Sequence, residues 1–258
     1  MKSIEIKNFS KVYKKSIKAV DNLSLNIPRG CFFGLLGLNG AGKTTTVNFI
    51  AGLIRRSSGE LYIQGEAITD SSYMYKAKMG FVLDRPLYIE KFTVKEYLSF
   101  AGQMYGLDSS ATERRSEELL EFMELGEKRN ELIETYSAGM KKKVSLSAAL
   151  IHNPEILILD EPFEGIDPVS SKKIREVLLD LVKKGKTIVL TSHILEIVEK
   201  LCNEVAIMNK GKLIFQDRIE NIQTYIKEGN EQTYYQGLEE LFHHLVGQND
   251  LPSTLSWM

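Results

Sequence analysis

Cys31-Phe-Phe-Gly-Leu-Leu-Gly-Leu-Asn-Gly-Ala-Gly-Lys-Thr44 is the stretch on which the reading of this chain turns. Cys31 to Leu36 is a continuous apolar run, the pattern of a central strand covered on both faces. From Gly37 the glycines crowd together, and over Lys43 to Ile54 the apolar residues Val47, Ile50 and Ile54 fall at helical spacing. Strand, glycine-rich loop and helix follow in that order. Gly37 to Thr44 satisfies the pattern G-x-x-x-x-G-K-T in the setting where it is informative. Gly40 and Gly42 let backbone N–H groups turn inward without side-chain collision, and the helix N-terminus adds unsatisfied donors and a favourable dipole, which suits a β-phosphate. Lys43 then reaches the β and γ oxygens, and Thr44 offers a hydroxyl to Mg²⁺, the usual companion of a triphosphate. Asn39, Gly40, Ala41, Gly42, Lys43, Thr44 and Thr45 are therefore the candidate contacts to a nucleotide.

Working outward, Ile156-Leu-Ile-Leu159 is a second buried strand, and it delivers Asp160 and Glu161 to the carboxyl edge of a parallel sheet, where open α/β folds place their ligand sites. Asp160 suits Mg²⁺ through its water shell, and Glu161 suits the orientation and polarisation of an attacking water. A third buried strand, Thr187 to Leu190, leads to His193, which should emerge at the same edge and donate to a γ-phosphate oxygen. His152, His243 and His244 lack such placement and read as surface or packing residues. Asp167 as N-cap and Pro168 as first residue open a helix whose buried face is Ile174, Val177, Leu178 and Leu181.

Around these motifs, residues 2 to 9 and 20 to 27 alternate as half-buried antiparallel strands, and Met79 to Leu83 is a further buried run. Thr93 to Ala149 carries almost no strand signal but several helical stretches: Glu96 to Tyr105, Thr112 to Leu125 and Gly139 to Ala149. Val205 to Met208 and Lys212 to Phe215 form a closing hairpin about Asn209, Lys210 and Gly211. The expected fold class is α/β: a P-loop NTPase core with a parallel sheet flanked by helices, an N-terminal antiparallel β subdomain and an inserted α-helical subdomain. The expected division is 1–217 for the ATPase domain, with 1–90 and 150–217 as core and 91–149 as the helical insertion. A C-terminal helical tail, 218–258, contains an amphipathic helix at Leu238, Leu241, Phe242 and Leu245. Trp257 near its end is either a partner contact or part of a frayed terminus.

The formal net charge of −1 argues against a nucleic-acid binder, which meets phosphates with a basic stripe. Lys141 to Lys143 read as a solvated helix face. Cys31 and Cys202 have neither paired spacing nor a histidine cluster, as expected of free buried thiols in a reducing compartment. The N-terminus lacks a signal-peptide core, and no stretch approaches the roughly 18 apolar residues of a membrane helix. A cytoplasmic location follows as the expectation.

Taken together these motifs resemble the ATP-binding cassettes, specifically the ATPase subunits of bacterial ABC-2 type exporters, over roughly residues 2 to 217. Tyr13 stands where that family has an aromatic stacking on adenine, or is simply a strand-end tyrosine. Tyr136-Ser-Ala-Gly-Met140 stands where the family has its LSGGQ signature, Glu164-Gly-Ile-Asp-Pro168 resembles the D-loop, and Thr191-Ser-His193 the switch histidine. The resemblance implies that Ser137, Ala138 and Gly139, at a helix start, meet the γ-phosphate held by a second subunit, while Ser137 also caps its own helix. The implied assembly is a head-to-tail dimer of ATPase subunits, homodimeric or heterodimeric, with two ATP molecules between phosphate loop and signature. A separate transmembrane permease, docking near Asp84 to Tyr88, would hold the subunit on the cytoplasmic face of the membrane. Two positions depart from the family pattern. Asp84 replaces the glutamine that would reach Mg²⁺ or its water, and the signature carries Ala138 and Met140 for Gly and Gln. A translation or DNA-repair cassette would carry a second cassette or a coiled-coil insertion, and a non-hydrolysing regulatory subunit would not need Glu161 and His193.

Overall fold

The computed structural model describes residues 1–84, 88–224, 235 and 237–247. In chain order the strands are β1 (Lys2–Tyr13), β2 (Ile17–Pro28), β3 (Phe32–Gly37), β4 (Ser58–Ile63), β5 (Glu66–Ile68), β6 (Met79–Val82), β7 (Ile156–Asp160), β8 (Thr187–Thr191), β9 (Glu204–Asn209) and β10 (Lys212–Arg218). The helices are α1 (Lys43–Ile50), α2 (Val94–Met104), α3 (Ser109–Phe122), α4 (Ala138–Leu150), α5 (Pro168–Lys183), α6 (Leu195–Leu201) and α7 (Leu238–Val246).

Two sheets result. An antiparallel sheet of four strands has the order β2-β1-β4-β5, and a six-stranded sheet has the order β10-β9-β3-β8-β7-β6, parallel except for the β9–β10 hairpin. The apolar runs behave as two-faced strands. Phe32, Leu36, Leu157, Leu159, Ile188 and Leu190 point into one core, shared with α2 to α7. Their neighbours Phe33, Leu35, Ile156, Ile158 and Val189 point into a second core, shared with the antiparallel sheet and α1. Alternation within the strand therefore builds two cores on one sheet, and the six-stranded sheet is the layer between them. The insertion after β6 is helical, as its composition predicts.

Several boundaries differ from the sequence expectation for local reasons. The first helix stops at Ile50 instead of Ile54 because Gly52 adopts a left-handed conformation (φ 64°), with Gly52 N–H donating to Phe49 O and Leu53 N–H to Asn48 O. The β4–β5 hairpin was not anticipated. It turns on Gln64 and Gly65, both with positive φ, and Leu61 and Ile63 are its buried residues. Asp167 caps α5 by accepting from Ser170 N–H, and Pro168 follows it, as expected. Cys31 and Cys202 are free and buried.

The solvated face expected for Lys141 to Lys143 is a correction: Lys142 and Lys143 are buried, because α4 is enclosed on most sides by the sheet, α2, α3 and α5. His152 is a packing residue, stacked on Tyr105 with centroids 3.5 Å apart. Its Nε2–H donates to Met79 O at 3.0 Å, while its buried Nδ1 has no partner. Burial holds its pKa down at about 4. Trp257 and Arg85 to Leu87, part of the proposed permease contact, lie outside the described residues. No helix among the described residues is long and apolar enough to cross a membrane.

The seat of α4 on β6 depends on Gly80, where an added Cβ would stand 2.2 Å from Ala149 O and 2.8 Å from Leu157 Cδ1. Gly80→Ala is expected to destabilise the fold by about 1–3 kcal/mol, the usual range for overpacking. A denaturant midpoint unchanged from wild type would contradict that seat. His152 gives a pH signature. Its folded pKa is depressed below 6.5, so the unfolded chain binds more protons between pH 6.5 and 4, and stability falls as pH drops through that window. Denaturation midpoints across the window are expected to fall less in His152→Phe than in wild type.

Candidate functional site

Strand order brings the motifs together. β3, β8 and β7 are parallel neighbours, so their carboxyl ends open onto one edge. β3 runs into the glycine-rich loop, β7 ends on Asp160, and β8 ends on Thr191, two residues before His193. Between them lies a cavity of about 500 Å³ lined by Gly37, Asn39, Lys43, Thr44, Asp84, Asp160, Glu161 and His193 among others.

The loop itself is set by backbone conformation. Gly42 precedes α1 at φ 105°, where a Cβ would also stand 2.8 Å from Ala19 O, so the turn into the helix accepts no other residue. Lys43 is buried, and its Nζ donates to Gly37 O at 2.7 Å and to Leu38 O at 3.3 Å. Burial lowers its pKa, and the carboxylates of Glu161 and Asp160 oppose that shift. The ammonium is thus folded back over its own loop and surrounded by acceptors.

Asp160 is also buried, and burial pushes its carboxyl up. The hydrogen bond from Thr191 works against that shift, while the charge of Asp84 adds to it and Thr44 favours the ionised form. Oδ1 accepts from the Thr191 hydroxyl, whereas Oδ2 is buried with no partner. An unpartnered buried carboxylate oxygen is costly unless something charged completes it. Glu161 stands one residue further, at φ 46°, an unusual conformation for a residue with a Cβ. Its Oε1 is 3.0 Å from His193 Nδ1, so the histidine donates from Nδ1 and keeps Nε2 for another partner.

The donors around Asp160 are all hard oxygens: the Thr44 hydroxyl and the carboxylates of Asp84 and Asp160. That set fits a hard, oxygen-ligated dication such as Mg²⁺. Among the described residues no group of three or more His, Cys, Asp or Glu is arranged to hold a metal.

Eight expected contacts do not line this cavity: Gly40, Ala41, Gly42 and Thr45, in the loop and first turn of α1, and Tyr13, Ser137, Ala138 and Gly139. Tyr13, at the end of β1, is 42% exposed, with Lys11 Nζ 5.0 Å from its ring centroid. Ser137 caps α4, its hydroxyl accepting Met140 N–H at 3.3 Å, and Ser137 and Ala138 face solvent. Gly139 abuts the 161–167 loop so closely that a Cβ would stand 2.2 Å from Gly165 O. Conversely, Leu38, Glu164, Ser192, Leu195 and Phe242 line the cavity without having been singled out as site residues. Glu164 and Ser192 lie inside motifs already noted. Phe242 comes from α7, and nothing in its own neighbourhood announces where that helix docks.

The family model described as ABC transporter matches residues 20–164. The linearmycin resistance ATP-binding protein LnrL of Bacillus subtilis (strain 168) is 41% identical over 82% of this chain, which spans 68% of that protein. The Nod factor export ATP-binding protein I of Ralstonia nicotianae is 36% identical over 80% of this chain, which spans 64% of it. The ABC transporter ATP-binding protein NatA of Bacillus subtilis (strain 168) is 36% identical over 86% of this chain and 90% of its own length. Among solved structures, an ATP-binding subunit of an ABC transporter superposes with a TM-score of 0.80 at 31% identity, over 86% of this chain and 92% of that one. A dimeric ATP-binding cassette in a post-hydrolysis state, bound to ADP and Pi, gives a TM-score of 0.77 at 26% identity, over 83% and 98%. With a phosphate loop, a buried acid and a glutamate–histidine pair on one sheet edge, and with these likenesses extending over most of its length, the chain belongs to the ABC transporter family, as one of its ATP-hydrolysing cassettes.

Proposed function

We propose that this chain is the ATPase subunit of a multi-subunit exporter, driving a separate transmembrane permease through an ATP-dependent dimer. The observation that carries the reading is the Glu161–His193 contact at 3.0 Å, over a loop that holds a buried lysine and beside a buried acid with a vacant acceptor oxygen. Asn39, Gly40, Ala41, Gly42, Lys43, Thr44 and Thr45 bind the ATP phosphates, and Tyr13 stacks on adenine. Thr44, Asp160 and Asp84 would hold Mg²⁺, which would supply neutralisation of phosphate charge. Ser137, Ala138 and Gly139 belong to the γ-phosphate of the facing subunit, in agreement with the exposure of Ser137 and Ala138 and with the absence of all three from their own cavity. That subunit is a second copy of this chain or a similar cassette.

In the closed dimer, Glu161 accepts a hydrogen bond from the attacking water and takes its proton as the water oxygen bonds to the γ-phosphorus. The bond to the bridging oxygen of ADP breaks, and Lys43 and His193 stabilise the charge on the transferred group. His193 orients Glu161 through Nδ1–H, and in the imidazolium form its Nε2–H donates to a phosphate oxygen. ATP favours the closed dimer only by its difference in affinity for the two states, and hydrolysis removes that difference. Cassette and tail divide near residue 217.

For the permease contact we favour the groove of about 980 Å³ between α1 and the helices α2 and α4. It is lined by Leu53, Phe81, Tyr97, Phe100 and Met104, several of them exposed, and it shares Thr44 and Asp84 with the phosphate cavity. An apolar groove of this form suits a helix laid into it, and the shared residues give that helix a route to the nucleotide. The association places the subunit on the cytoplasmic face of the membrane. The export direction is carried by relatives named for linearmycin resistance and Nod factor export.

Phosphate release from MgATP by the purified chain, alone and with its permease, tests the enzyme. Glu161→Gln is expected to lower turnover by about a hundredfold or more, the contribution of a positioned general base, with ATP binding retained. No turnover in wild type, even with permease present, would overturn the reading. Phe100→Glu is expected to abolish co-purification with the permease while the isolated chain hydrolyses ATP at the wild-type rate. Undiminished co-purification would exclude the groove as the contact.

A further inference from the structure

Lys142 and Lys143 lie side by side on α4, 9% and 8% exposed, and neither lines the nucleotide cavity. Burying an ammonium in mid-helix is costly unless it is bonded, so each must hold something. Lys142 Nζ donates to Asp160 O at 3.3 Å. Burial works against its charge, while the carboxylates of Asp160, Asp84, Glu164 and Glu161 work for it.

The carbonyl that Lys142 holds belongs to the peptide unit joining Asp160 to Glu161. The N–H of the same unit donates to Thr191 O at 3.2 Å and to Thr191 Oγ1 at 3.3 Å. One peptide plane is therefore gripped from both sides, by the helix that begins at Ser137 and by the strand that leads to His193. Glu161, which that plane leads into, has φ 46°, and such a conformation persists only where its surroundings over-determine it. The far end of the loop is tied to the same helix. Lys143 Nζ donates to Ser170 Oγ at 2.6 Å and stands 3.6 Å from Asp167 Oδ2, the cap of α5. Between these ends Gly139 rests on Gly165 O.

We infer that Lys142 is a positioning residue for Glu161: its bond to the Asp160 carbonyl sets the backbone from which the glutamate reaches the attacking water, and Lys143 anchors the other end of the loop. Resting on the reading of Ser137 to Gly139 as the contact to a facing subunit's nucleotide, the inference makes α4 a lever. Docking of its N-terminus on one ATP adjusts the glutamate that acts on the other. Coupling of this kind needs a physical link between the sites, and α4 supplies one through its bonds to the Asp160 carbonyl and to Ser170.

The test is steady-state phosphate release by the full chain carrying Lys142→Met or Lys142→Gln. Methionine and glutamine both reach one atom short of the lysine Nζ, but methionine loses the donor whereas the glutamine amide still donates to a carbonyl. Lys142→Met is expected to lower kcat about tenfold or more with KM for ATP within about twofold of wild type, and Lys142→Gln to recover most of the loss. A purely structural lysine would give no such split and no rescue by glutamine. Wild-type kcat in Lys142→Met, or equal losses in both variants, would overturn the inference. Should Lys142→Met fail to fold, Ser170→Ala removes the acceptor of Lys143, and a kcat loss of about threefold at constant KM is expected, with unchanged kcat overturning it. Wild type without turnover would overturn the ATPase reading and this inference together. Turnover abolished by Glu161→Gln yet indifferent to Lys142→Met would overturn this inference alone.

Discussion

The adjacency of β3, β8 and β7 in the parallel sheet is the constraint on which the rest of the structure depends. Each strand ends in a different chemical group, and only their parallel register places Lys43, His193 and the Asp160–Glu161 pair on one edge. The register needs both faces of the sheet covered, which is why two cores exist and why alternate residues of one short strand belong to different cores. The antiparallel sheet and α1 supply one cover. The helices from α2 to α7 supply the other.

Charge is balanced locally at this edge. Four carboxylates, those of Asp84, Asp160, Glu161 and Glu164, line the cavity together with one lysine, Lys43, while Lys142 approaches from beneath. Burial disfavours charge on Asp160 and on both lysines, and opposite charges nearby favour it. Both lysines are bonded to backbone carbonyls, Lys43 to its own loop and Lys142 to the end of β7. Asp160 Oδ2 has no such partner. A dication with its waters and phosphates is the group that would complete it, so substrate and metal together relieve what the protein alone leaves unbalanced.

How much of this was legible in the sequence depends on how local each signal is. The phosphate loop, Asp160, Glu161 and His193 were readable because each sits where a continuous apolar run ends, and a strand end is a local pattern. The Asp167–Pro168 helix start was readable for the same reason. The β4–β5 hairpin was less so, since Gln64-Gly65 is a weak turn signal and only Leu61 and Ile63 mark its buried side. The burial of Lys142 and Lys143 was read the wrong way: a run of three lysines on a helix is usually solvated, and their partners, Asp160 O and Ser170 Oγ, are 18 and 27 residues away. Phe242 is the extreme case. Its amphipathic helix was evident, but its place at the rim of the cavity beside Leu195 is set by packing of α7 on α6, more than forty residues earlier. Spacing within a segment reports the face a helix buries, and says nothing of the surface that receives it.

On the proposed reading, the cavity with loop, acid and glutamate and the capped helix start that does not line it are the two halves of a nucleotide sandwich. The central claim is that two chains complete each other around ATP. Its most direct test is the molar mass in solution, by light scattering, of the Glu161→Gln chain with MgATP and with MgADP. Twice the mass of one chain with MgATP, and the mass of one chain with MgADP, is the predicted result. A single-chain mass with ATP demonstrably bound would contradict the account.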